Sequence, residues 1–227
     1  MKILQIILEV IFPTLCIGCR AEGQILCTTC RQTIPARYNL QCPICNRSQT
    51  DDSICALCQP QVWLDKIIIA APYENPLLQT MIQAFKYGHV HSLATPLADL
   101  LIQNLPTDKE SYLVIPTPLH RRRFQERGFN QSELLAKILA LNFAHHLRTD
   151  CIRRIKNTAH QADLKREERL INMRNAFRIT HPEAVAGQNI LLVDDVITTA
   201  ATLNEQARVL KEAGAASITA IVLAKNS

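Results

Sequence analysis

Two hydrophobic periodicities alternate along the chain from Trp63 onward. Lys66-Ile-Ile-Ile-Ala-Ala71 is a short apolar, β-branched run that reads as a strand, and Pro76 to Tyr87 and then Leu93 to Leu105 repeat apolar residues at helical spacing. Ser111 to Ile115 is a second strand, stopped by Pro116 and Pro118, and Gly128 to Asn142 is a helix with Leu134, Leu135, Ile138 and Leu139 on one face. Arg166 to Asn175 reads as a charged, exposed helix. Asn189 to Val193 is apolar without alternation, the pattern of a strand buried on both faces of a parallel sheet. Thr202 to Ala213, stopped by Gly214, and Ser217 to Ala224 complete the series as helix and strand. Strands alternating with helices predict an α/β fold with a mainly parallel sheet. Ligands of such sheets sit beyond the carboxyl ends of the strands, so the chain after Val193 and after Ile115 is where chemistry is expected.

The first 62 residues break this pattern. Eight of the nine cysteines fall between Cys16 and Cys58, which divides the chain into a cysteine-rich head, 1–62, and a body, 63–227. The opening run from Met1 to Pro13 is interrupted by Glu9, has no small-residue cleavage site before Cys16, and is far shorter than the ~20 residues that span a bilayer. It reads as an amphipathic helix docked on the rest of the chain, and with no other membrane candidate a cytoplasmic protein is expected. With 48% hydrophobic and 20% charged residues, disordered and low-complexity classes are excluded.

The eight head cysteines form four Cys-x-x-Cys pairs: Cys16/Cys19, Cys27/Cys30, Cys42/Cys45 and Cys55/Cys58. This spacing lets one tight turn aim two thiolates at a tetrahedral metal, and two such turns complete a site, so two structural zinc ions are expected. Sequential sites are favoured over a cross-braced arrangement because neighbouring pairs are separated by only 7, 11 and 9 residues. Disulfides suit oxidising compartments, and a redox dithiol needs one such pair in a βαβ setting rather than four in tandem. Cys151, alone in the body, reads as a buried small hydrophobe.

After Val193 the chain runs Asp194-Asp-Val-Ile-Thr-Thr-Ala-Ala-Thr202. Two adjacent carboxylates suit sugar hydroxyls or a bridging Mg²⁺, and a small, hydroxyl-rich turn opening a helix suits a phosphate. After Ile115 comes Pro-Thr-Pro-Leu-His-Arg-Arg-Arg-Phe-Gln-Glu-Arg-Gly-Phe-Asn-Gln131, with Arg121, Arg122, Arg123 and Arg127 beside His120. Basic charge is concentrated here: residues 120–178 carry 14 Lys and Arg against 6 Asp and Glu, while the rest of the chain nets −3. Such charge fits a sugar pyrophosphate or a nucleic-acid backbone, with Arg121, Arg122, Arg123, Arg153, Arg154 and Lys156 as nucleic-acid contacts. Phe124 and Phe129, interleaved among the arginines, read as core or loop anchors ahead of base-stacking platforms.

The acid-and-threonine segment resembles the phosphoribosyl pyrophosphate (PRPP) signature of type I phosphoribosyltransferases, departing at Ala200, where that family usually has Gly. Together with the cysteine-rich head, Pro116-Thr-Pro-Leu-His120, Arg127-Gly-Phe-Asn-Gln131 and the run Thr158…Gln161…Leu164, it resembles the ComF family of phosphoribosyltransferase-like proteins, which includes GntX-type members. That resemblance implies PRPP with Mg²⁺ held by Asp194, Asp195, Thr198, Thr199, Ala200 and Thr202, with His120, Arg121 and Arg127 at the pyrophosphate loop, 119–130, and segment 153–175 as a mobile cover. It also implies a role in natural competence, handling incoming single-stranded DNA with other competence proteins. The alternative is an active Mg²⁺-dependent phosphoribosyltransferase of nucleotide or related metabolism without a DNA role. No base-recognition motif stands out, so the acceptor is not readable.

Overall fold

The computed structural model describes residues 13–35, 41–48, 53–105, 111–156 and 173–226. All but the last residue of the expected helix over Met1–Pro13, the run Thr158…Gln161…Leu164 and all but the last three residues of the expected helix Arg166–Asn175 lie outside them.

Five strands form the main sheet in the order β1 (Lys66–Pro72), β7 (Ser217–Lys225), β6 (Asn189–Ile197), β2 (Leu113–Pro116) and β3 (His146–Leu147), and every pairing is parallel. A separate antiparallel pair joins β4 (Ile152–Arg154) to β5 (Phe177–Ile179). Among the described residues the α-helices are α1 (Thr28–Gln32) in the head and α2 (Pro76–Tyr87), α3 (Ala94–Ile102), α4 (Arg121–Arg127), α5 (Gln131–Phe143) and α6 (Ala201–Glu212) in the body. The α2 helix shows how local sequence sets these elements. Asn75 caps it by accepting the Leu78 N–H at 2.9 Å, Pro76 occupies the first turn, and Leu78, Met81, Ile82 and Phe85 place one apolar face in the core.

Because β-strand side chains alternate, the sheet has two cores. Ile68, Ala70, Val114, Leu191, Val193 and Ile221 face α2, α3 and α5, whereas Ile67, Ile69, Ile115, Ile190, Leu192 and Val222 face α6. The continuous apolar run of β6 is fully buried from Ile190 to Val193, as its sequence predicts. Cys151 is buried in the second core.

The head joins both cores. Leu26 and Ile34, from the first cysteine module, belong to the α2–α3–α5 core, and Asn75 Nδ2 donates to the Thr33 carbonyl at 2.9 Å. Cys42, Ile54, Cys55 and Cys58, from the second module, belong to the α6 core. The two modules therefore lie on opposite faces of the sheet.

Two differences from the sequence reading bear on the site. Strand β6 runs through the acid pair to Ile197 instead of stopping at Val193, since Asp194, Val196 and Ile197 still pair with β7. Part of the expected loop 119–130 is helix α4: the His120 ring accepts the Arg122 N–H, and Gly128, at φ +75°, closes the far end by donating to the Phe124 carbonyl at 2.7 Å.

Candidate functional site

The cysteines group as two sequential sets, Cys16/Cys19/Cys27/Cys30 and Cys42/Cys45/Cys55/Cys58, with the four sulfurs of each set within 4.8 Å of one another. The sets are built alike. In each, the residue after the first pair, Arg20 or Asn46, turns with positive φ and donates its N–H back to the carbonyl of Cys16 or Cys42. Bridges Leu15–Glu22 and Gln41–Ser48 close the two turns. Gly18 lies so close to the partner turn that a Cβ there would come within 2.7 Å of the Cys30 sulfur.

Both sets fit a tetrahedral metal. An ion with ~2.3 Å bonds to sulfur needs sulfurs ~3.8 Å apart, and Cys19–Cys27 and Cys45–Cys55 are 3.6 and 3.7 Å apart. The charge balance of the bare thiols is consistent with this. Burial would raise the Cys16 thiol, but the backbone N–H groups of Cys27, Cys19 and Gly18 outweigh it and bring it down to about 6, and Cys42 is likewise lowered to about 6. Cys30 is pushed up to about 12 by its contact with Cys27 and by burial, and Cys58 to about 12 by burial and its cysteine neighbours. Bringing all four sulfurs of a set to thiolate at this separation would take a cation among them.

The acid pair lies where β6 and β2 leave the sheet side by side, with Pro116 opposite Val193 and the Thr117 N–H donating to the Val193 carbonyl at 2.9 Å. Asp194, Asp195, Thr202, Thr117, Arg123, Arg127, Gln131 and Lys86 line a cavity of about 200 Å³. Asp195 is 8% exposed and forms an ion pair of 2.8 Å with Lys86, in the last turn of α2. Asp194 accepts hydrogen bonds from the Ser132 hydroxyl at 3.0 Å and the Asp195 N–H at 2.9 Å. Burial and the adjacent Asp195 carboxylate nevertheless push the Asp194 carboxyl up to about 6.

The turn after the acids opens α6, whose N-cap residue, Ala200, makes no side-chain cap hydrogen bond. Among the described residues, the buried polar atoms without a partner include the Thr199 hydroxyl in the turn and the Gln131 side-chain N–H₂ beside the acid cavity. Buried polar atoms are nearly always paired, so these two donors favour an acceptor-rich ligand. Within the turn, residues 194–202 enclose a space of only about 20 Å³, room for one water.

A family model for the phosphoribosyl transferase domain matches residues 130–227, the part of the chain that holds β6, the acid pair and the turn. The chain is 32% identical to DNA utilization protein YhgH of Salmonella typhimurium over 91% of its own length and 94% of that protein. The chain belongs to the ComF/GntX family of phosphoribosyltransferase-like proteins. Two further relatives are Competence protein F of Haemophilus influenzae, 30% identical over 89% of the chain and 93% of that protein, and Competence protein ComFC of Bacillus subtilis, 30% identical over 88% and 84%.

The structure distributes the sequence-predicted site residues of this ComF/GntX-family protein over two neighbouring openings. Asp194, Asp195, Thr202, Arg123 and Arg127 meet in the acid cavity, and Thr198 and Ala200 line the small space in the turn. Arg127 is held there by Gln131 and by the Tyr87 hydroxyl, each 3.2 Å away, with its guanidinium 5.0 Å from the Tyr87 ring centroid. Arg121 and Arg153 line instead an adjoining groove of about 570 Å³, and Arg154 lines both openings. His120 serves as the cap of α4, Arg122 points to solvent in an ion pair with Glu126, and Lys156 is exposed and donates to the Arg174 carbonyl at 2.7 Å. The described part of the 153–175 cover consists of Arg153–Lys156, which includes most of β4, and Met173–Asn175.

Lys86 and Ser132 are site residues that sequence reasoning missed. Lys86 reads as a basic residue complementing the end of a helix, and Ser132 as part of the start of one, so neither carries a local signal of function. The carboxylates they contact lie 109 and 62 positions away in sequence.

The departure at Ala200 falls on a strained position. Its φ is +57°, the left-handed region where a non-glycine residue costs roughly 1–2 kcal/mol. Its methyl, 3% exposed and packed in the α6 core, recovers most of this, since burying one such group contributes ~0.8 kcal/mol and Ala reduces the freedom of the unfolded chain relative to Gly. We expect Ala200→Gly to change unfolding free energy by less than about 1 kcal/mol in denaturant melts. Ala200→Val should destabilise by more than about 2 kcal/mol, because β-branched residues tolerate this region poorly.

Proposed function

We propose that this ComF/GntX-family protein binds PRPP with Mg²⁺ at the acid cavity and turn, and handles incoming single-stranded DNA in the cytoplasm during natural competence. The observation that carries the reading is the contiguity of two openings. A cavity with two carboxylates beside the N-terminus of α6 abuts an arginine-lined groove, and Leu119 and Arg154 belong to both. Asp194 and Asp195 would accept the ribose hydroxyls or hold Mg²⁺, Thr198, Thr199 and Thr202 would surround the 5′-phosphate, and Arg123 and Arg127 would face the pyrophosphate. Mg²⁺ would neutralise pyrophosphate charge when bound. Zinc would occupy the two cysteine sets as a structural ion. The names of the relatives, competence and DNA utilization proteins, favour the DNA role over one confined to small molecules.

Titration with PRPP·Mg²⁺ and a single-stranded oligonucleotide, separately and together, tests this reading. We expect both to bind, the oligonucleotide with an affinity that falls steeply with salt and with Arg121→Ala combined with Arg153→Ala. Indifference of the wild type to single strands at low salt would sink the DNA role. The facing of Arg123 and Arg127 toward the acid pair favours a second reading, catalysis of phosphoribosyl transfer, because positive charge there stabilises a departing pyrophosphate. Release of pyrophosphate from PRPP across a panel of acceptors checks it, and no release with any acceptor counts against it.

The raised Asp194 carboxyl makes a pH prediction. The ionised carboxylate is the stronger acceptor for ribose hydroxyls, so affinity for ribose 5-phosphate should fall as pH drops through about 6. Stability moves the other way for this group: the folded state holds its proton more tightly than the unfolded chain, so its unfavourable contribution is present above about 6 and vanishes toward pH 4. Asp194→Asn should therefore raise the Tm at pH 8 and not at pH 4, while weakening ribose 5-phosphate binding at pH 8.

A further inference from the structure

We propose that the groove of about 570 Å³ is a nucleobase site for single-stranded DNA, with Phe124 as the platform on which one base stacks. This deepens the DNA reading above and rests on it. The sequence offers two aromatics among the arginines, and the structure separates their roles. Phe129 is 8% exposed and packs its ring against those of Phe85, 5.7 Å away, and His91, 4.2 Å away. Phe124 is 46% exposed on α4, a helix that contributes no buried residue, so its ring has no core to fill.

What surrounds Phe124 selects the ligand. The groove has apolar walls at Leu119 and Pro118, and Arg121, Arg153 and Arg154 around them, with Glu133 the one acid among its described lining residues. An apolar ligand gains nothing from three guanidinium groups, and a bare polyanion gains nothing from an exposed phenyl ring. A strand of unpaired nucleotides uses both, placing a base on the ring and its phosphates on the arginines. Arg154, half-buried, is lowered to about 10 by burial and by the neighbouring Arg123, so an anion there relieves an existing cost. With one exposed aromatic among the groove's described residues, the base contributes a single stacking step, roughly 5- to 150-fold in affinity, and no sequence preference.

The test compares oligothymidylate of about 12 nucleotides with an abasic strand of equal length and charge, by fluorescence anisotropy on the full chain loaded with zinc. We expect the wild type to prefer oligothymidylate about tenfold. Phe124→Ala should lose that preference with abasic binding unchanged, and Phe124→Trp should restore it. Thermal melting of Phe124→Ala should match the wild type, since the ring lies outside the core. Equal binding of the two strands by the wild type, or a preference that survives Phe124→Ala, overturns the stacking site while leaving a phosphate-only DNA role. Loss of both strands together in Phe124→Ala also overturns it, since Phe124 would then shape the groove rather than stack. Binding of neither strand by the wild type overturns the DNA reading and this inference together.

Discussion

Cys42→Ser will halve the zinc content of the chain and destabilise it by more than about 5 kcal/mol, enough to leave it largely unfolded at 37 °C. The size of the effect follows from where the second module sits. Apparent binding free energies of structural zinc are ~10–16 kcal/mol, and that energy becomes folding energy when the ligands have no other reason to converge. Cys42, fully buried, and Ile54, Cys55 and Cys58 lie in the same core as Leu64, Ile67 and the α6 leucines, so losing the ion opens one face of the sheet as well as a surface loop. Metal analysis should find two zinc ions per wild-type chain and one in the variant, and a chelator should lower the wild-type Tm by a comparable amount. Cys151→Ser is the control: it sits in the same core but in neither sulfur set, and should cost only about 1–3 kcal/mol for a buried hydroxyl, with zinc content unchanged. Cys42→Ser that keeps both ions, or that melts with the wild type, would falsify the assignment of the second set.

Replacing both acids, Asp194→Asn with Asp195→Asn, should lower affinity for PRPP·Mg²⁺ at least about 100-fold, or ~2.7 kcal/mol. The single variant Asp195→Ala is the poorer test. It would leave the Asp194 carboxylate in the cavity to accept ribose hydroxyls or hold Mg²⁺, so part of the affinity would survive. Calorimetry with separate fragments locates the effect. Ribose 5-phosphate, whose hydroxyls need the carboxylates, should lose most of its affinity, while inorganic phosphate, which needs only the turn at 198–202, should lose little. Equal losses for both would show that the acids hold the turn in shape instead of contacting the sugar.

Much of this molecule is readable from residue order alone, because the signals involved are local. The strand runs of β1 and β6, the apolar faces of α2 and α6, and the four Cys-x-x-Cys turns all depend on contacts within about a dozen positions, where periodicity and spacing are direct consequences of backbone geometry. The α/β class, the cysteine pairs and the acids leaving a buried strand were legible for that reason. Short elements were not: β3, β4 and β5 have two or three residues each, too few for a period to register, and α4 hides in an arginine run that has no apolar face.

The tertiary structure decided what distance in sequence conceals. It settled the sulfur sets as sequential and placed the modules on opposite faces of the sheet. It laid the β2 and β6 exits side by side, so that arginines after one strand meet carboxylates after the other, and it brought Lys86 onto Asp195 across 109 positions. Of the two phenylalanines among the arginines, it buried Phe129 and left Phe124 in the groove. A side chain's chemistry is written in its own identity, but its partner is set by strand order and helix packing, which are properties of the whole chain.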